Sequence, residues 1–215
     1  MVQRGRVLAE LQGNPTLTHG ERLPVERKNQ LDAAGVPLAN VDLLAVAAGP
    51  GSFTGLRVGI ASMQGLATAT GLRIVPVSVF EALARSAGGG DSPLAVWIDA
   101  QRGQVFAVLY DAAGGRMLTE PSSLPPAETL AAWKALGVTG PIRFVGDGAI
   151  RYRNTVESEL GSPALLLPEP PPLAGFVGLI AAEYSERAVL PHAVVPIYVR
   201  RPDAELARSR KMTRA

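Results

Sequence analysis

The sequence predicts an α/β fold, and three consecutive segments carry that prediction. Asp42 to Ala48 is an apolar run of the kind found in strands buried on both faces, as in a parallel sheet. It passes through Gly49-Pro50-Gly51-Ser52 into a helix-period stretch from about Phe53 to Thr70, which stops at Gly71. Arg73 to Val77 is a second short apolar run. Strand, helix and strand in this order make a parallel pair with a right-handed crossover.

The other elements follow from turn and cap signals. Residues 5–11 read as a short strand ending at Gly13-Asn14-Pro15, and residues 25–35 as a helix without a clean apolar stripe, closed by Gly35. Ser78 caps a helix over 79–87. Ala87 to Pro93, with three consecutive glycines, is the most linker-like stretch and divides the chain into a first lobe, 1–90, and a second, 91–195, followed by a basic tail, 196–215. In the second lobe, strands over 94–100 and 104–111 form a hairpin through Gln101-Arg102-Gly103, continued past Gly114-Gly115. A helix over 126–136, a strand over 142–145 and helices near 148–159 and 173–187 complete it, the last two separated by the proline-rich stretch from Pro168 to Pro172.

Composition bounds the function classes. The 215 residues are 47% hydrophobic and 19% charged, ordinary for a globular chain long enough to bury a core. With no cysteine there is no disulfide, thiolate nucleophile or cysteine zinc site, which fits a reducing cytoplasm. The net charge of +2 does not call for nucleic acid across the whole surface. No window reaches the ~18 apolar residues of a membrane span, and no apolar segment follows Arg4 and Arg6 as a signal peptide requires. A soluble, cytoplasmic protein with no membrane partner is expected.

Gly49 to Gly55 is the most distinctive segment. A glycine-rich turn ahead of a helix can turn backbone N–H groups toward an anion, or can be a tight turn with Ser52 as N-cap. Leu56-Arg57 follows Gly55 where a Walker loop needs Lys-Ser or Lys-Thr, and the glycine spacing is not that of a dinucleotide fingerprint. Behind it, Arg57 is the only charge before Gly71. Phe53, Leu56, Ile60, Met63 and Ala67 make one apolar stripe, and Ala61, Gly65 and Ala69 a second line of small residues, with Gly55 and Gly59 earlier. A helix apolar nearly all round must be covered nearly all round, by its own fold or by a partner.

Candidates for catalysis are sparse. His19 and His192 stand far apart and form no metal-binding pair, and Ser52 is not in a nucleophile elbow. Asp99 closes a strand, and Asp147 lies between Gly146 and Gly148 after another; such acids bind nucleotides or metals, or simply form turns. The tail carries Arg200, Arg201, Arg208, Arg210, Lys211 and Arg214 against Asp203 and Glu205. It suits nucleic-acid phosphate or an acidic partner, or is a solvated terminus.

Gly49-Pro50-Gly51-Ser52-Phe53-Thr54-Gly55-Leu56-Arg57-Val58-Gly59-Ile60 resembles the signature of the TsaB (YeaZ) family. Asp99-Ala100-Gln101-Arg102-Gly103-Gln104-Val105-Phe106 resembles its second-lobe hairpin, and Pro196 to Glu205 its C-terminal motif. The resemblance implies an actin-like, ribonuclease-H-like two-lobe fold. It also implies a non-catalytic subunit that binds and organises TsaD, which transfers the threonylcarbamoyl group to adenosine in tRNA; TsaC makes the donor and TsaE is an ATPase. The partners implied are thus a TsaD-like subunit with a TsaE-like ATPase, a second copy when alone, and tRNA through the complex.

Carried onto this sequence, the partner interface comprises Phe53, Leu56, Arg57, Gly59, Ile60, Ala61, Met63, Gly65 and Ala69. No cofactor is expected on this chain alone; ATP belongs to the complex, and Asp147 is the candidate nucleotide contact. The family opens with an apolar strand and an Asp-Thr-Ser-like turn that Met1-Val2-Gln3-Arg4-Gly5 does not supply. The usual first strand is therefore expected to be missing, which exposes a sheet edge or part of the core. An independent actin-fold ATPase or kinase is the alternative and would need an intact first phosphate loop; an endopeptidase would need the absent histidine pair.

Overall fold

The computed structural model describes residues 1–13, 19–161 and 164–200. They form two compact units, Met1–Gly88 with Pro168–Pro196, and Gly89–Leu167 with the chain from Ile197. This differs from the division expected at 90 and 195, because the helix after the proline-rich stretch packs on the first unit's strands. In order the elements of the first segment are β1 (Val2–Gln3), β2 (Arg6–Val7), α1 (His19–Ala34), β3 (Leu44–Gly49), α2 (Phe53–Thr70), β4 (Ile74–Ser78) and α3 (Val79–Ala87).

The strand expected over 5–11 is instead half of a short antiparallel hairpin, with Val2 opposite Val7 and Gln3 opposite Arg6. Arg4 and Gly5 take φ of 49° and 72°, the two-residue left-handed turn that matches strand twist. Helix α1 starts at His19, before residue 25, and Glu26, Arg27, Lys28 and Gln30 within it are good helix formers even where no apolar stripe announces them. β3 and β4 pair in parallel, Leu44 against Ile74 to Ala47 against Val77. Ile60 and Ala67 of α2 pack on them with Leu44, Val46, Ile74 and Val194.

Helix α7 (Ala174–Glu183) covers the other face, where Val177, Ile180 and Ala181 share a core with Val75, Val77 and Ala82. Ile74 and Val189 exchange backbone hydrogen bonds of 3.0 and 2.9 Å, which tie the returning chain to β4. Glu10 accepts a 2.6 Å hydrogen bond from the Gly175 N–H, capping α7 from the N-terminal segment.

On the solvent side, Arg85 of α3 pairs with Glu183 of α7 at 2.6 Å, and Arg187 with Glu81 at 2.9 Å. The Arg85 hydrogen bond holds the Glu183 carboxyl below its ordinary range. A depressed folded-state value means stabilisation that is present above the unfolded carboxylate range and lost as pH falls through the folded value. The melting-temperature difference between the native chain and Glu183→Gln is therefore expected to be small at pH 7, in favour of the native chain, and to shrink as the pH falls through the carboxylate range, read by circular dichroism.

The second unit contains β5 (Leu94–Asp99), β6 (Val105–Tyr110), β7 (Ser122–Leu124), α4 (Pro126–Ala135), β8 (Ile142–Val145), α5 (Asp147–Arg151), α6 (Arg153–Leu160) and β9 (Ala164–Leu166). Its sheet runs β7-β6-β5-β8-β9, with β5 antiparallel to β6 and parallel to β8. The single helix expected near 148–159 is kinked at Tyr152, which has φ −105° and ψ 25°. Trp97, Phe144 and Trp133 anchor the core, Trp97 meeting the Phe144 ring edge-on at 5.3 Å and the Trp133 ring at 6.1 Å. No helix among the described residues is long and apolar enough to cross a membrane.

Candidate docking face and acidic turns

Helix α2 begins where its cap residue dictates: the Ser52 hydroxyl accepts from the Gly55 N–H at 3.3 Å. That N–H is thereby occupied by the cap rather than turned toward an anion. The helix ends at Gly71 with φ 73°, the left-handed stop that glycine tolerates.

The structure sorts the candidate interface residues by face. Ile60 is 4% exposed and Met63 packs beside it in the unit's own core, with Leu56 half-buried. Ile60 and Met63 belong to the fold. Phe53, Arg57, Ala61, Gly65 and Ala69 are exposed. The Arg57 guanidinium lies 4.4 Å from the Phe53 ring centroid, so the one charge of the helix rests on its first aromatic. Gly59 is two residues from Ala61, about 200° around the helix, and so lies on the far side from it.

Both flanks of the exposed line are occupied. Arg27 of α1 donates to the Ser62 hydroxyl and carbonyl at 2.8 and 3.0 Å. Gln64 donates to the carbonyls of Pro191 and Val194 at 2.8 and 3.2 Å. What remains open is a narrow strip of small side chains. A Cβ at Gly65 would meet nothing within 4 Å.

The acidic candidates are engaged in turn geometry within the second unit. Asp147 Oδ1 accepts from the N–H groups of Asp99 and Gly148, at 3.1 and 2.9 Å, and so ties the end of β5 to the start of α5. Asp99 accepts from the Gln101 N–H at 3.1 Å and the Gln101 side chain at 2.8 Å, and pairs with Arg151 at 3.3 Å. Gln101, Arg102 and Gly103 all have positive φ, of 59°, 56° and 74°. Among the described residues no group of three His, Asp or Glu side chains is placed to hold a metal. His19 falls in α1 and His192 in a short 3-10 turn, residues 191–193.

The sequence reading missed Arg143 and counted Arg200 only among the cations of the basic tail. Arg143, on β8, is 9% exposed and donates to the carbonyls of Ser92, Gly89 and Ala112 at 3.4, 3.3 and 3.0 Å. A charge inside the apolar run Ile142–Val145 was the available signal. Arg200 donates to the Gln104 side chain at 2.9 Å and the Ala100 carbonyl at 3.1 Å, holding the C-terminal segment on the β5–β6 hairpin. The rest of the basic tail, from Arg201 with Arg208, Arg210, Lys211 and Arg214, lies outside the described residues.

The profile of the family described as TsaD, tRNA N6-adenosine threonylcarbamoyltransferase, matches residues 15–141. The tRNA threonylcarbamoyladenosine biosynthesis protein TsaB of Bacillus subtilis is 31% identical over 82% of this chain and 76% of its own length. The protein of the same name from Escherichia coli is 35% identical over 43% of this chain and 41% of its own. The solved structure of YeaZ from Pseudomonas aeruginosa superposes with a TM-score of 0.71 at 28% identity, covering 92% of this chain and 91% of that one. With this similarity spanning both units and the α/β architecture matching, the chain belongs to the TsaB (YeaZ) family.

Proposed function

We propose that this chain serves tRNA threonylcarbamoyladenosine biosynthesis as a non-catalytic subunit that binds and orders a TsaD-like transferase. The observation that carries this reading is the open strip on α2, where Ala61, Gly65 and Ala69 stand exposed between flanks that the chain itself covers. Small side chains allow a partner helix to approach closely, and the strip has no charge of its own to desolvate. Phe53 and Arg57 stand at one end as the larger contacts.

The absence of a role in the chemistry is supported by Asp99 and Asp147, whose carboxylates are spent on backbone N–H groups and Arg151. In this reading ATP and a TsaE-like ATPase act at the assembled complex, tRNA is met through it, and the chain pairs with a second copy when alone. A cytoplasmic setting is in keeping with a chain that has no cysteine.

The test is co-purification with a TsaD-like subunit of the same cell, comparing the native chain with the double variant Ala61→Arg, Gly65→Glu. Two long charged side chains, partnered only with each other at i and i+4, would hold a partner helix off the strip and would have to lose water on burial, which is expected to weaken the complex ~100-fold or more. Replacing a mid-helix glycine removes a cost of about 0.5–1 kcal/mol, so the variant itself stays as stable as the parent or gains slightly. A complex retained by this folded variant, or none formed by the native chain, would overturn the proposal.

A further inference from the structure

The positive charge of the chain is not spread evenly. Residues 196–215 hold six of the 21 Arg and Lys side chains and two of the 19 Asp and Glu, which leaves 15 against 17 elsewhere. The rest of the chain is therefore net negative, and the surplus of +2 belongs wholly to the C-terminal segment. Where that segment is rooted decides which surface its charge serves.

The chain from Ile197 belongs to the second unit, and Arg200 roots it there. Its guanidinium donates to Gln104 Oε1 at 2.9 Å and to the Ala100 carbonyl at 3.1 Å, and lies 5.7 Å from the Phe106 ring centroid. The Ser123 hydroxyl donates to the same Gln104 oxygen at 3.2 Å. The root is thus tied to the β5–β6 hairpin and to β7, and the remaining cations, from Arg201, follow it in sequence.

The same end of the sheet carries further cations. Asp99 and Leu124 both stand opposite Val105, and β8 runs parallel to β5, so the Gln101–Gly103 turn, the start of α5 and the root share one edge. Arg102 is exposed in that turn, and the Arg151 side chain is 60% exposed, 5.8 Å from the Tyr152 ring centroid. Tyr198, two residues before the root, is 40% exposed. The acids of this edge are engaged: Asp99 with Gln101 and Arg151, and Asp147 with two backbone N–H groups. Glu128 stands in the first turn of α4, where the positive end of the helix dipole takes its charge. Cations interleaved with aromatic rings fit a phosphate backbone and its bases.

We propose that this edge of the second unit, with the basic tail rooted on it, contacts the phosphate backbone of tRNA directly. Arg102 and Arg151 supply contacts from the folded surface, and the five cations after Arg200 supply the rest. Arg200 itself is spent on the hairpin and fixes where the tail begins. The rings at Tyr152 and Tyr198 favour a nucleic acid over an acidic protein, and the choice of tRNA rests on the function proposed above.

The experiment is fluorescence anisotropy of a labelled, unmodified tRNA transcript titrated with the full chain across a series of salt concentrations. A TsaD-like subunit is left out, so failure here leaves the co-purification result standing. The double variant Arg208→Gln, Arg210→Gln is expected to weaken binding about tenfold and to reduce the salt slope by about 2. Arg102→Asn, which keeps a residue suited to the left-handed turn, is expected to weaken it about threefold. Lys28→Gln with Arg116→Gln removes two exposed cations elsewhere and should stay within about twofold of the native chain. No binding by the native chain, or an equal loss in this last pair, would mean that the edge is not a site. An unchanged Arg102→Asn would remove the folded surface from the contact. Displacement by polyglutamate at equal charge concentration would make the partner an acidic protein. Each of these four results overturns the proposal.

Discussion

Replacing Gly146 by alanine is expected to destabilise the second unit by about 3–5 kcal/mol, the sum of a glycine-only backbone conformation and a steric clash. Gly146 follows β8 with φ 109° and ψ 163°, a region closed to side chains. The added Cβ would stand 2.2 Å from the Trp97 carbonyl oxygen and 3.1 Å from its carbon. Neither group is a flexible side-chain end: one is β5 backbone in the middle of the sheet, the other the entry to α5. Relief requires β5 and the end of β8 to separate, at the point where Asp147 ties them together.

Trp97 and Trp133, the only two tryptophans, both lie in this unit's core, so their fluorescence reports its unfolding alone. At roughly 4–8 °C per kcal/mol for a unit of this size, the melting temperature falls by about 12–40 °C. Gly115→Ala is the control, since its Cβ meets nothing within 4 Å and its φ is not positive. A Gly146→Ala protein melting within a few degrees of the control would show that the β5–α5 junction is not packed as described.

Arg143→Met is expected to cost about 3 kcal/mol, because a buried donor set is removed while its acceptors stay. The guanidinium spans carbonyls of Gly89, Ser92 and Ala112, from the glycine linker and from the segment after β6. Methionine fills most of the volume but donates nothing, so the carbonyls must recover water or remain unsatisfied. Arg143→Lys should rescue little, since one ammonium cannot reproduce the planar fork. Two readouts check this: the urea midpoint by tryptophan fluorescence, and proteolysis within residues 88–93, which should accelerate in both variants. A variant with an unchanged midpoint and an intact linker would remove Arg143 from the fold's supports.

Much of the architecture was legible because local chemistry and tertiary structure agree. Helix α2 occupies Phe53–Thr70 as its serine cap and stopping glycine indicate, and Ser78 caps α3 through the Phe80 N–H at 3.2 Å. The hairpin around Gln101-Arg102-Gly103 follows from its turn residues. The allocation of α7 was not legible. Nothing in Ala174–Glu183 says which core receives Val177 and Ile180, and the answer depends on strands some hundred residues earlier.

The candidate docking face was legible only in outline. Periodicity separated Ile60 from Ala61, but an all-apolar helix does not reveal which stripe its own sheet takes. Burial decided that Ile60 and Met63 serve the core and that Ala61 and Gly65 remain open. Asp99 and Asp147 show the opposite case. Their positions at strand ends were evident, whereas their use as backbone acceptors depends on distances that sequence spacing does not contain.

The discontinuity of the first unit sets an order of events during synthesis. Its strands β3 and β4 leave the ribosome early, but Val189, which bonds to Ile74 across 115 positions, and α7, which covers their apolar face, emerge far later. At roughly 5–20 residues per second, that interval lasts on the order of 5–20 s, much longer than hairpins and helices need to form. The intervening segment Gly89–Leu167 holds the whole five-stranded sheet of the second unit and can close it from contacts within itself. The unit begun first is thus completed last, and for several seconds the nascent chain displays Val75 and Val77 without a roof. That interval leaves the first unit, rather than the second, as the part of the molecule that stays open longest on the ribosome.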